Sequence, residues 1–95
     1  MSAYFIAHGT ITNPSKMDEY VEKSGPIFAS FGGEFLTVGG VTHILTGSHN
    51  RERVAIFKFP DAEAAEACYN CDAYKRLWPL RAEAGDFDFI VFEEY

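Results

Sequence analysis

The stretch Val54–Arg81, VAIFKFPDAEAAEACYNCDAYKRLWPLR, constrains the fold more than any other part of the chain. Ala55, Phe57 and Phe59 alternate with Val54, Ile56 and Lys58, the period of a strand with one wholly apolar face. Pro60 cannot donate to a ladder and Asp61 is a good N-cap, so the strand gives way to a helix. In that helix Ala64, Ala65 and Cys68 form a narrow face of small side chains, which lets it lie close to a sheet. A second helix, from about Ala73, sets Tyr74, Leu77, Trp78 and Arg81 on one side, and Pro79 is expected to interrupt and kink it.

The flanking segments extend the pattern. Ala3–Ile11 reads as a strand with Phe5, Ala7, Gly9 and Ile11 on a core face and Tyr4, Ile6, His8 and Thr10 on the other. Asn13-Pro14 opens a helix, with Asn as N-cap and Pro at the first helical position, and Met17, Tyr20, Val21, Ser24, Phe28 and Phe31 lie along its stripe. Gly25-Pro26 is expected to kink this helix, and Gly32-Gly33 supplies a left-handed exit. Glu34–Val38 is the second strand. Gly39-Gly40 then reads as a bulge in one long bent strand that continues through Val41–Thr46, with a tight hairpin as the alternative. Gly47–Glu52 is a polar loop, Gly85-Asp86 an exit, and FDFIVF a last strand, apolar on both faces except at Asp88 and so expected to be covered twice.

The order β, α, β, β, α, β with an additional helical segment is the ferredoxin-like α+β pattern, an antiparallel four-stranded sheet in a single domain over residues 1–95. Helices then cover one face only. Tyr4, Ile6, Val54 and Ile56 would remain open, and a homodimer joined through that face, its two sheets enclosing a cavity, would cover them.

Charge excludes two classes of partner. Eight basic against fourteen acidic residues leave a net charge of -6 with no basic cluster, which disfavours nucleic acid and anionic membrane surfaces. No apolar run approaches the roughly 18 residues of a membrane span, and MSAYFIAHG lacks the basic start and long apolar core of a signal peptide, so a cytoplasmic protein is expected. Cys68 and Cys71 suit a reducing compartment. Their CxxC spacing admits redox work or half a metal site, but a pair at a helix end, with no second pair and with His8, His43 and His49 scattered, reads as two packed thiols. Neither a metal nor a bound cofactor is expected.

Other chemistries lack their parts. No serine, histidine and carboxylate are spaced as a triad, and Glu93 and Glu94 point to opposite faces of a strand. The glycine pairs close elements instead of opening a helix, so no phosphate loop is present. The preferred constellation is Arg81 with Lys58, His8 and Tyr69. Arg81 offers a planar fork for a carboxylate or oxyanion, His8 exchanges a proton near neutral pH, and Tyr4, Lys58, Tyr69 and Tyr74 supply ligand contacts. The ordinary alternative pairs Arg81 with Asp86 or Glu93 and leaves His8 satisfied at the sheet face.

With Gly32-Gly33, Gly39-Gly40, Phe59-Pro60, Tyr69, Tyr74 and Arg81 in this order, nearly the whole chain resembles the family catalogued as domain of unknown function 1330. The resemblance implies a dimeric α+β barrel, in a superfamily that also holds small cofactor-free monooxygenases, isomerases and stress-response proteins, and no established reaction. Similar sequences usually carry glutamate where this chain has Thr46 and Lys58, and tryptophan and serine at Cys68 and Cys71. With Arg81 and Lys58 both cationic, such an altered site would suit an anionic ligand. The expected function is a homodimer that binds or turns over a small anionic or aromatic metabolite without a bound cofactor; the alternative is a non-catalytic stress-related or regulatory dimerisation module.

Overall fold

In the computed structural model, which describes residues 1–95, the elements are β1 (Ala3–Ile11), α1 (Pro14–Ser30), β2 (Glu34–Gly40), β3 (Arg53–Phe59), α2 (Ala62–Asn70), α3 (Asp72–Lys75), α4 (Trp78–Ala84) and β4 (Gly85–Glu93). All strand pairs are antiparallel, in the order β2-β3-β1-β4. The ferredoxin-like arrangement expected from the alternation is therefore present.

Register sorts the side chains between two faces. Phe5 stands opposite Phe57 and Val91, while Ile6 stands opposite Ile56 and Ile90. The Phe5 set lies under the helices, where Phe5, Phe28, Phe59 and Tyr74 are buried. Their rings meet edge-on or tilted, Phe5 lying 5.2 Å from Phe28 and 5.0 Å from Phe89 between centroids, the geometry ring quadrupoles prefer.

Caps set the helix limits. The Asn13 side chain accepts from Lys16 N, and Asp61 Oδ1 accepts from Ala64 N at 2.8 Å. At the end of α1, Gly33 N donates to Phe28 O at 2.9 Å and Gly32 N to Ala29 O at 3.0 Å, a Schellman closure made possible by the φ of +81° at Gly32.

Four local expectations are revised. First, α1 runs unbroken through Pro26; Glu22 and Pro26 are both exposed, so water can take the carbonyl that loses its amide partner. Second, Gly39 and Gly40 stay in β2, opposite Val54 and Arg53; the irregularity falls between Phe35 and Thr37, and Val41–Thr46 forms neither strand nor hairpin. After Val41 N bonds Glu52 O at 2.8 Å, the segment has left the end of β3 and has no strand to pair with. Third, the second helix breaks before Pro79, which sits in the first turn of α4, where a missing amide costs nothing. Fourth, β4 is an edge strand that a single chain covers once, Ile90 and Phe92 being half exposed on the face without helices, so any second cover has to come from outside the chain.

Candidate functional site

Arg81 lies near the middle of α4, with its side chain over β4 of the sheet. Its guanidinium stands 4.9 Å above the Phe89 ring, with Tyr69, Tyr74 and Trp78 at 5.6, 5.8 and 5.9 Å. One of its N–H groups donates to Tyr74 Oη at 3.0 Å, and Tyr74 Oη lies 2.6 Å from Tyr20 Oη. The aromatic stripe expected of this region thus closes into a cage around the cation.

No carboxylate balances that charge. The candidates from sequence are engaged elsewhere: Asp86 pairs with Arg51 at 3.2 Å, and Glu93 accepts from Ala62 N at 3.0 Å. A half-buried arginine held by ring faces and one phenol keeps free donors for an anion. Burial, and then the neighbouring Tyr74, pushes the Tyr20 hydroxyl well above its ordinary range. Tyr74 is raised by burial too, partly offset by its hydrogen bonds to Tyr20 and Arg81. Both phenols are therefore neutral donors at physiological pH.

Two cavities flank this chain of groups. An apolar one of about 320 Å³ lies between α1 and the sheet, walled by Phe28, Phe35, Phe57 and Phe87, with Tyr20, Ser24 and Arg53 as its polar members. A more open cleft of about 360 Å³ contains Arg81, Tyr69, Glu66 and Asn70. Phe5, Phe87 and Phe89 line both, so the Tyr20–Tyr74–Arg81 chain runs from the wall of one cavity to the other.

The expected site residues divide between two faces. Arg81, Tyr69 and Tyr74 gather on the helix side. Tyr4, His8 and Lys58 lie on the open face, where Tyr4 is opposite Lys58 in register. The grouping of Arg81 with His8 and Lys58 is thus not assembled within one chain, because alternate residues of a strand face opposite ways and the sheet stands between them. Tyr4 instead donates to Glu94 Oε1 at 2.7 Å.

His8 has a partner that the sequence separates from it by α1, β2 and the segment that follows β2. His8 Nδ1 lies 2.9 Å from His49 Nε2, and Arg51 of the same loop pairs with Asp86 and Asp88 of β4. His43 remains exposed in the connecting segment. Among the cysteines, burial, and then the adjacent Cys71, pushes the Cys68 thiol up to about 12, opposite to what a redox nucleophile needs. Cys71 caps α3, its Sγ accepting from Tyr74 N at 3.4 Å. No cluster of three or more His, Cys, Asp or Glu side chains suits a metal. Tyr20 and Arg53 are the site residues that sequence reasoning missed; the first lay in plain view on the α1 stripe, but its hydroxyl partner is 54 positions away.

A family model described as "Domain of unknown function (DUF1330)" matches residues 2–95. Among curated proteins none matches the chain. Among solved structures, RPA0582, a protein of unknown function from Rhodopseudomonas palustris, is similar at 18% identity with a TM-score of 0.78, over 99% of this chain and 82% of that one. SnoaB from Streptomyces nogalater, described as a cofactor-independent oxygenase, is similar at 13% identity and TM-score 0.71, over 99% and 93%. A dimeric ferredoxin-like protein of unknown function from Thermobifida fusca follows at 11% identity and TM-score 0.61, over 97% and 90%. At these identities the likeness is one of fold.

Proposed function

The chain belongs to the DUF1330 family, whose description assigns no reaction, and we propose from its own geometry that it is a homodimer binding a small aromatic or anionic metabolite between helices and sheet. The observation that carries this reading is an apolar cavity of about 320 Å³ whose wall includes Tyr20, hydrogen-bonded through Tyr74 to an arginine without a carboxylate partner. A cavity of that size is at the small end of ligand sites. A ligand carbonyl or phenol oxygen at Tyr20 would meet a hydroxyl polarised by Arg81 in a low-dielectric wall, the arrangement that stabilises an enolate or phenolate without a bound cofactor. SnoaB's description places cofactor-independent chemistry on a related fold. Proton transfer from His8 is not part of this reading, since His8 faces the other side of the sheet.

The homodimer reading is supported by the open sheet face, where Ile90 and Phe92 are 52% and 50% exposed, and by dimeric proteins of the same fold. No helix is long and apolar enough to cross a membrane, and the two free thiols suit a cytoplasmic location. One observation favours a second reading, a non-catalytic dimerisation module: the Tyr20 and Tyr74 hydroxyls already satisfy each other, as packing alone would require.

Thermal unfolding separates the two. Wild type and Arg81→Ala are melted against a panel of small carboxylates, phosphates and phenols, and a native-state ligand must raise the midpoint by mass action. Binding is expected to stabilise the wild type by several degrees and the variant less. A panel that shifts neither protein, with Arg81→Ala melting earlier throughout, makes the packing reading the correct one.

A further inference from the structure

Arg53, at the start of β3, is the polar residue at the mouth of the apolar cavity. It lines both the cavity and the outer cleft beside α1. Its cross-strand neighbours are Gly9 and Gly40, so no side chain on either flank covers it on that face except the Phe87 ring packed over Gly9. It is half buried and makes neither a side-chain hydrogen bond nor an ion pair. In a chain with fourteen acidic residues against eight basic ones, that lack of a partner is notable. Asp18 and Glu22 line the outer cleft with it, yet neither comes within pairing distance.

Resting on the cavity reading above, we infer that the ligand is an apolar carboxylic acid, its hydrocarbon body inside the cavity and its carboxylate at the mouth on Arg53. Phenylalanine rings supply an apolar interior, and a planar guanidinium supplies the bidentate fork that a carboxylate fits and a neutral amide does not. Asp18 and Glu22 repel a second negative charge at the rim, which restricts the class to monoacids over diacids. Arg53 is accordingly a specificity residue, distinct from the Tyr20 wall deeper in.

The test titrates 2-naphthoic acid and the isosteric neutral 2-naphthamide into the full-length protein by calorimetry at neutral pH. The wild type is expected to bind the acid about tenfold more tightly than the amide, the worth of a partly desolvated ion pair. Arg53→Gln should bring the acid down to the affinity of the amide and leave the amide unchanged, and Arg53→Lys should keep part of the preference. Equal affinities in the wild type, or a preference that survives Arg53→Gln, overturn the inference and leave the cavity reading standing. If neither compound binds the wild type, the cavity reading falls and takes the inference with it.

Discussion

The Tyr20–Tyr74 pair, at 2.6 Å, sets the behaviour of the site at the scale of single residues. Burial raises both hydroxyls above the ordinary 10.0 and lifts the Cys68 thiol from 9.0 to about 12. The folded state therefore holds protons that the unfolded chain has released. Stability from these groups is fully present below pH 9.0 and falls as pH climbs from 9.0 towards 12. Urea midpoints taken between about pH 8 and about pH 11 should decline, and Cys68→Ala should remove the part of the decline that begins first. A flat profile in the wild type would contradict the buried, protonated state described for all three groups. Tyr20→Phe should cost about 1 kcal/mol in the same assay, since Tyr74 keeps its bond from Arg81 but loses one to Tyr20.

At the scale of elements, the ends of α1 and the fit of α1 to the sheet matter most. A Cβ at Gly33 would sit 2.8 Å from both Phe28 O and the Phe59 ring, inside the closure that ends α1. Gly33→Ala should therefore destabilise by about 1–3 kcal/mol. At Gly25, mid-helix, an added Cβ meets nothing within 4 Å beyond its chain neighbours, but the ring of Pro26 crowds the Cβ of a helical residue that precedes it, so Gly25→Ala should forgo most of the roughly 0.5–1 kcal/mol that the unfolded chain's entropy would otherwise give. Denaturant melts should place Gly33→Ala clearly below the wild type and Gly25→Ala close to it; a Gly33→Ala as stable as the wild type would contradict the closure of α1 against Phe59. The loop before β3 is held by His49 on His8 and by Arg51 on two aspartates, contacts between partly exposed groups that each contribute little.

At the scale of the molecule, the helices cover one face of the sheet and leave the other with Ile90 and Phe92 half exposed. The proposed dimer predicts a solution mass near twice 10.6 kDa by light scattering, reduced to 10.6 kDa by Ile90→Asp with Phe92→Asp. A wild type that already runs at the monomer mass would rule out the dimer. Because the ligand cavity lies on the helix side, the double variant should still bind the naphthoate probe.

The sequence by itself determined what depends on near neighbours. Strand alternation sets which residues share a face, Asn13 and Asp61 set where helices start, and Gly32 sets where α1 ends, since each is a matter of period, cap or dihedral within a few residues. The DUF1330 resemblance and the one-sided sheet were legible for the same reason. Where Pro79 would sit relative to the helix break was not, because a proline satisfies a first turn as readily as it ends a helix. Only the tertiary structure decided the site. It placed Arg81 across the sheet from His8 and Lys58, joined Tyr20 to Tyr74 over 54 positions and His8 to His49 over 41, and left Arg53 between two glycines at a cavity mouth. Those relations depend on the register of strands distant in sequence and on the way α4 packs against α1, and local periodicity carries no information about either.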